Sequence, residues 1–217
     1  MDDTASLDAL RRRLAPGIAE AAAFDGWSAL AVEQAALQAG VDPALAAFAF
    51  GGRQMAMIEA WVDAIDEAML AAVPAESLAG VSVRERIRRL IMARLDAVAG
   101  REEALTRALA IMAMPQNLAR STQLGWRSAD AMWRLAGDKA ADYNHYTKRA
   151  TLAAIYAATL HAFAGEKDPA KPETRAFLAR RIEGVMRFEK VKSQFLRTPE
   201  ERFSVTRLLG RLRYPAR

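Results

Sequence analysis

The side chains able to do chemistry in this sequence are few. Its 217 residues include two histidines and no cysteine. Asp142 stands three residues before His145, a spacing that puts both on one helix face, where a carboxylate–imidazole dyad could act as a general base. Asp142 fits a helix N-cap equally well, with His145 then a satisfied polar residue. Neither His145 nor His161 belongs to a Glu-x-x-His or His-x-x-x-His pair, so the spacing supports no di-iron or zinc site on a helix. Without cysteine there is no thiolate nucleophile, zinc–cysteine site or disulfide framework. No glycine-rich phosphate loop follows a strand, and no nucleophile elbow is present. The chemistry predicted is binding, with no catalytic residue, metal or cofactor.

The polar and aromatic residues instead gather at 130–149, around Met132, Trp133, Tyr143, Asn144, His145, Tyr146, Lys148 and Arg149. Gly137 stands where a left-handed helix cap ends one helix, and Asp142 starts the next. From Ala150 to Ala164 there is no Lys, Arg, Asp or Glu. A helix apolar on all sides needs cover on more than one side, and this run is too short to span a membrane. It is predicted as a buried central helix. Together with the helix after it, it has no other obvious cover, which points to a homodimer.

The remaining elements read as an all-α chain of about nine helices plus a C-terminal amphipathic helix. Leu7, Leu10, Leu14, Ile18 and Ala22 mark a first helix over 4–23. Ser28 caps a second to about residue 39, with Leu30, Val32, Ala36 and Leu37 as its apolar positions. Pro43 opens a short third. Phe50-Gly51-Gly52 precedes a long fourth helix over 54–73. Helix, turn, helix and long helix is the order of a TetR-type N-terminal domain. Ser82-x-x-Glu85 is a capping box; it opens a helix with Ile87, Leu90, Ile91, Leu95 and Val98 inside and five arginines (84, 86, 88, 89, 94) outside. Further helices are expected at 102–113, 117–136, 142–164 and 173–197. The organisation predicted is 1–52 as a helix-turn-helix-like domain, 53–197 as a binding and dimerisation domain, and 198–217 as a separate helix.

Charge argues against DNA. Leu14 to Gly52 contains no Lys, Arg or His and four acids, whereas phosphate neutralisation supplies most of the affinity for DNA. Pro43 to Phe48 offers no group to a base edge. Residues 170–217 hold 13 Lys/Arg against 5 Asp/Glu, a local +8, leaving 18 against 21 in the rest. Within that tail Leu208, Leu209 and Leu212 form an apolar stripe beside Arg207 and Arg211. Such a helix suits either a dimer packing arm or an anionic membrane surface. The acidic N-terminus lacks a signal core and an Arg-rich transit pattern, so a cytoplasmic location is expected.

Eight internal methionines are scattered over the central helices. They could simply fill a core or shape an irregular apolar pocket. The stretch Met-Trp…Ala-Gly-Asp…Asp-Tyr-Asn-x-Tyr-Thr-Lys-Arg-Ala-x-Leu-Ala-Ala-Ile-Tyr, with Arg107 to Asn117 upstream, closely resembles the lipid-binding accessory proteins of ubiquinone (coenzyme Q) biosynthesis. The match is dense over about 104–160 and collinear over most of the rest. The resemblance implies a TetR-family-like helical bundle that binds membrane phospholipid or isoprenoid quinone and presents it to the demethoxyubiquinone hydroxylase. It implies a pocket drawn from Trp61, Ile65, Met69, Leu90, Leu109, Met112, Met114, Leu124, Leu152, Ile155 and Tyr156. It also implies partner docking through Met132, Trp133, Asp142, Asn144, His145, Tyr146 and Arg149, with His145 departing from the aromatic residue usual before the Tyr. Membrane contact would come from Phe203, Arg207, Leu208, Leu209, Arg211 and Leu212, placing the protein peripherally on the inner membrane. The competing readings are a TetR-type ligand-responsive repressor and a lipid-independent adaptor.

Overall fold

The computed structural model describes residues 2–138 and 143–196, with side chains over 6–138 and 145–185. Within them the chain forms α1 (Asp2–Asp25), α2 (Ala29–Gln38), α3 (Pro43–Phe50), α4 (Gln54–Ala72), α5 (Val83–Val98), α6 (Glu102–Met112), α7 (Leu118–Leu135), α8 (Tyr143–Gly165) and α9 (Pro172–Leu196). Short 3-10 turns, Ala75–Leu78 and Pro115–Asn117, break two of the loops. The all-α reading holds. The chain divides into two compact units, Met1–Arg180 and Arg181–Arg217, and all that follows on packing concerns the first.

Local chemistry sets the helix ends. The Ser28 hydroxyl accepts from the Ala31 amide at 3.3 Å, and the Asp42 carboxylate from the Ala44 amide at 2.9 Å, so orphan amides at both helix starts are satisfied. Gly51 closes α3 at φ +56°, donating its amide to Ala47 O at 2.8 Å, a conformation that glycine adopts without steric cost. On α2 the buried residues are Ala31, Val32, Ala35 and Ala36, whereas Leu30 and Leu37 are exposed. Small residues win that face because α1 crosses closely: a Cβ on Gly17 would lie 3.3 Å from Ala35 Cβ. Trp27 ties this region to the rest, donating its indole N–H to Ala104 O at 3.1 Å and packing its ring 5.3 Å from that of Trp61.

Half of the expected capping box forms: Ser82 Oγ accepts from the Glu85 amide at 3.4 Å, while the Glu85 carboxylate is taken by arginines of its own helix. The Arg88 and Arg89 guanidiniums bond the Glu85 carboxylate. Arg88 chiefly, and Arg89 after it, hold its pKa at about 2 against an ordinary 4.5. A carboxyl depressed in the folded state contributes stability above its unfolded pKa and loses it as pH falls toward the folded value. Glu85→Gln should therefore lower stability at pH 7 by at most about 1 kcal/mol, since the pair is partly exposed. Denaturant unfolding of both proteins should show that gap at pH 7 and none at pH 2.

Candidate functional site

Helices α4 to α8 do not close fully on one another. They border a half-open cavity of about 410 Å³ with an almost wholly apolar wall. Small residues keep it open: Ala108 on α6, Gly125 on α7 and Ala153 and Ala157 on α8 all line it. A close-packed core does not hold a void of this size, whereas ligand sites of roughly 300–1,000 Å³ do.

Of the residues expected in a pocket, Trp61, Ile65, Leu109, Met112, Leu124 and Tyr156 line this cavity. Five others do not. Met69 and Leu90 are fully buried but sit one helical turn beyond the cavity end on α4 and α5, where they fill solid core. Leu152 is core one turn ahead of Tyr156, and Ile155 is half-buried outside the wall. Met114 lies past the end of α6 and is substantially exposed. The methionines mostly fill core: Met55, Met57, Met69 and Met132 are buried, and among the described methionines Met112 alone lines the cavity.

The cavity wall holds a charge that periodicity had placed outside. Arg94 is 1% exposed, a correction to the expected outer row of five arginines. Its Nη1 bonds Asp66 on α4, and its Nη2 donates to Ser128 Oγ on α7 at 3.0 Å. Its guanidinium carbon lies 4.8 Å from the centre of the Tyr156 ring on α8. Four helices thus meet on one guanidinium, which is paired with the Asp66 carboxylate.

The expected docking patch is divided between core and surface. Met132 is fully buried and Arg149 is 2% exposed, so neither can touch a partner. Arg149 Nε bonds Asp130 at 2.6 Å, and its Nη1 bonds Asp138 and His145 O, each at 3.1 Å. Lys148 bonds Asp138 at 2.8 Å, and the half-buried Trp133 donates to Lys148 O at 3.0 Å. This network fastens the first turns of α8 to α7, so these residues position the patch. The surface itself is Tyr146, 63% exposed, with His145 edge-on at 5.2 Å and Trp126 at 6.0 Å. Trp126 was missed because it stands just ahead of the 130–149 stretch, on the same helix as Met132 and Trp133. The Asp142 and Asn144 side chains lie outside the described residues, as do Phe203, Arg207, Leu208, Leu209, Arg211 and Leu212.

Two faces are bare. On α8, Ala154, Ala157, Ala158 and His161 are exposed, the first two where the cavity they line opens, so α5, α6 and α7 leave this side of the helix uncovered. On α3, Leu45 is 46% and Phe48 73% exposed. The arginines before this helix-turn-helix are engaged, whereas Arg53 after it is exposed: Arg11 donates to Ala49 O at 2.7 Å, Arg13 to Ala39 O at 2.9 Å, and Arg12 pairs with Glu67 at 2.8 Å.

With the fold and cavity described, comparison with known proteins is informative. A TetR transcriptional regulator from Nitrosomonas europaea superposes with a TM-score of 0.65 over 82% of this chain and 98% of its own, at 22% identity. That establishes the TetR-like fold. The COQ9 family model matches residues 118–189, covering α7, its network with α8, and most of α9. The chain is COQ9-like. The human mitochondrial ubiquinone biosynthesis protein COQ9 is 29% identical over 206 residues, 92% of this chain and 64% of that protein. The rat protein is likewise 29% identical, with 66% of its length covered. The Schizosaccharomyces pombe protein is 34% identical over 98 residues, 45% of this chain and 39% of its own length. This COQ9-like chain therefore spans under two thirds of these relatives. Among its described residues no helix is long and apolar enough to cross a membrane.

Proposed function

We propose that this COQ9-like protein acts in ubiquinone biosynthesis as a non-enzymatic lipid carrier. It takes a phospholipid or isoprenoid quinone intermediate into the α4–α8 cavity and presents it to the demethoxyubiquinone hydroxylase. The observation carrying this reading is the 410 Å³ apolar cavity inside a helix-turn-helix fold whose α2–α3 face offers leucine and phenylalanine but no cation. Burying a long hydrocarbon chain in such a wall is favourable at about 25 cal/mol per Å², whereas phosphate binding needs the free arginines this face lacks. That disfavours the repressor reading.

Membrane contact falls to the 198–217 segment, whose leucines and arginines suit an anionic inner-membrane surface. The bare alanine face of α8 is the surface for a second copy, because small side chains let two helices approach closely. Hand-over falls to Tyr146 and its ring neighbours, since exposed aromatics beside a cavity wall are the anchors interfaces depend on. Tyr146→Ala should leave the bound lipid in place and weaken hydroxylase binding by roughly tenfold or more. Surface-immobilised hydroxylase titrated with both proteins measures this. Equal binding would remove Tyr146 from the interface.

A further inference from the structure

The cavity wall is apolar except in one place. Ser121 and Thr122 also line it, but their hydroxyls donate to Met112 O and Leu118 O, each at 2.8 Å. Those donors are used. The exception is the cluster on Arg94, where Tyr156 and Ser128 stand together.

Tyr156 is 6% exposed and its ring carries the Arg94 guanidinium on one face. Its hydroxyl has no hydrogen-bond partner among the described residues. It is not sealed off either: the buried side-chain polar atoms without a partner there are Arg94 Nε and Arg101 Nε. The phenol oxygen therefore keeps accessible surface, and the space Tyr156 lines is the cavity. Ser128 accepts from Arg94 and likewise has no acceptor for its own O–H. Two hydroxyl donors thus face an apolar space with nothing to donate to. A hydrocarbon ligand filling the cavity would strip water from both donors, a cost that an acceptor on the ligand recovers.

Charge decides what kind of acceptor. Arg94 has spent its positive charge on Asp66, so the cluster is neutral overall. An anionic head brought here would lose its hydration and meet Asp66 with no free cation to offset either cost. A neutral oxygen would be met by a donor already fixed in place.

We propose that Tyr156, with Ser128 beside it, is the polar anchor of the cavity. It reads a neutral oxygen acceptor, a carbonyl or ether, at the head of an otherwise hydrocarbon ligand, and it discriminates against a carboxylate. Arg94 is a positioning residue that holds both donors. The proposal rests on the lipid-cavity reading and adds the chemical class of the ligand's head.

Three probes of equal chain length separate the parts: 2-tridecanone, tridecane and tridecanoate. Each is titrated into the full chain stripped of co-purified lipid, and the change in tryptophan fluorescence, to which Trp61 on the wall contributes, is read. The ketone should bind roughly three- to tenfold tighter than the alkane, the range one net hydrogen bond allows, and tighter than the carboxylate. Tyr156→Phe keeps the ring under Arg94 and removes only an unbonded hydroxyl. It should bring the ketone-to-alkane ratio toward one. A ratio that survives Tyr156→Phe, a wild-type ratio of one, or tightest binding by tridecanoate would each overturn the anchor and leave the apolar cavity standing. Binding of none of the three would overturn the cavity reading and the anchor with it.

Discussion

Arg149→Leu should cost the fold about 3 kcal/mol, because removing one partner of a buried ion pair leaves the other charged and desolvated. Asp138 and Asp130 each keep one other cation, Lys148 and Arg134, but those partners are exposed and each is worth about 1 kcal/mol or less. At this chain length the loss corresponds to roughly 6–12 °C in Tm. The effect should also reach the surface, because Arg149 holds His145 O and with it the turn that carries Tyr146. Thermal unfolding of the full chain, together with hydroxylase binding, would read both. A Tm within a degree or two of wild type would mean that the network does not fasten α8.

Arg94→Met should have an effect of similar size, about 3–5 kcal/mol, for a related reason at a different site. The methionine fills the volume and leaves Asp66 facing the core without a counter-charge, while Ser128 loses its donor. The double variant Arg94→Met, Asp66→Leu should recover most of the loss, since an apolar pair of similar volume can replace a buried ion pair without penalty. Denaturant unfolding of the two single variants and the double variant measures the coupling. Additive losses would show that Arg94 and Asp66 act independently.

The helices were legible because their signals are local. A capping serine, a proline at a first helical position and a glycine at positive φ act within a few residues of themselves. Arg94 shows where locality fails. It stands three and four residues after Ile91 and Leu90, within the buried stripe of α5, yet its residue type argued for the outer face. The partner that keeps it inside, Asp66, lies 28 residues earlier on α4, and no spacing rule reveals it. The cavity was hidden for a similar reason. Large apolar residues were sought as its lining, but an opening depends on where side chains are small, at Ala108, Gly125 and Ala153. Whether alanine faces a void or a neighbour depends on the distance between helices far apart in sequence. In the 130–149 stretch, residue types marked the right segment but could not separate Tyr146, which is presented, from Arg149 and Met132, which present it.

Native mass spectrometry with lipid extraction, on full-length protein from a quinone-producing host, tests the central claim most directly. About one isoprenoid quinone or phospholipid per subunit is the result predicted for the cavity described. An empty protein that instead retards a DNA probe would contradict it.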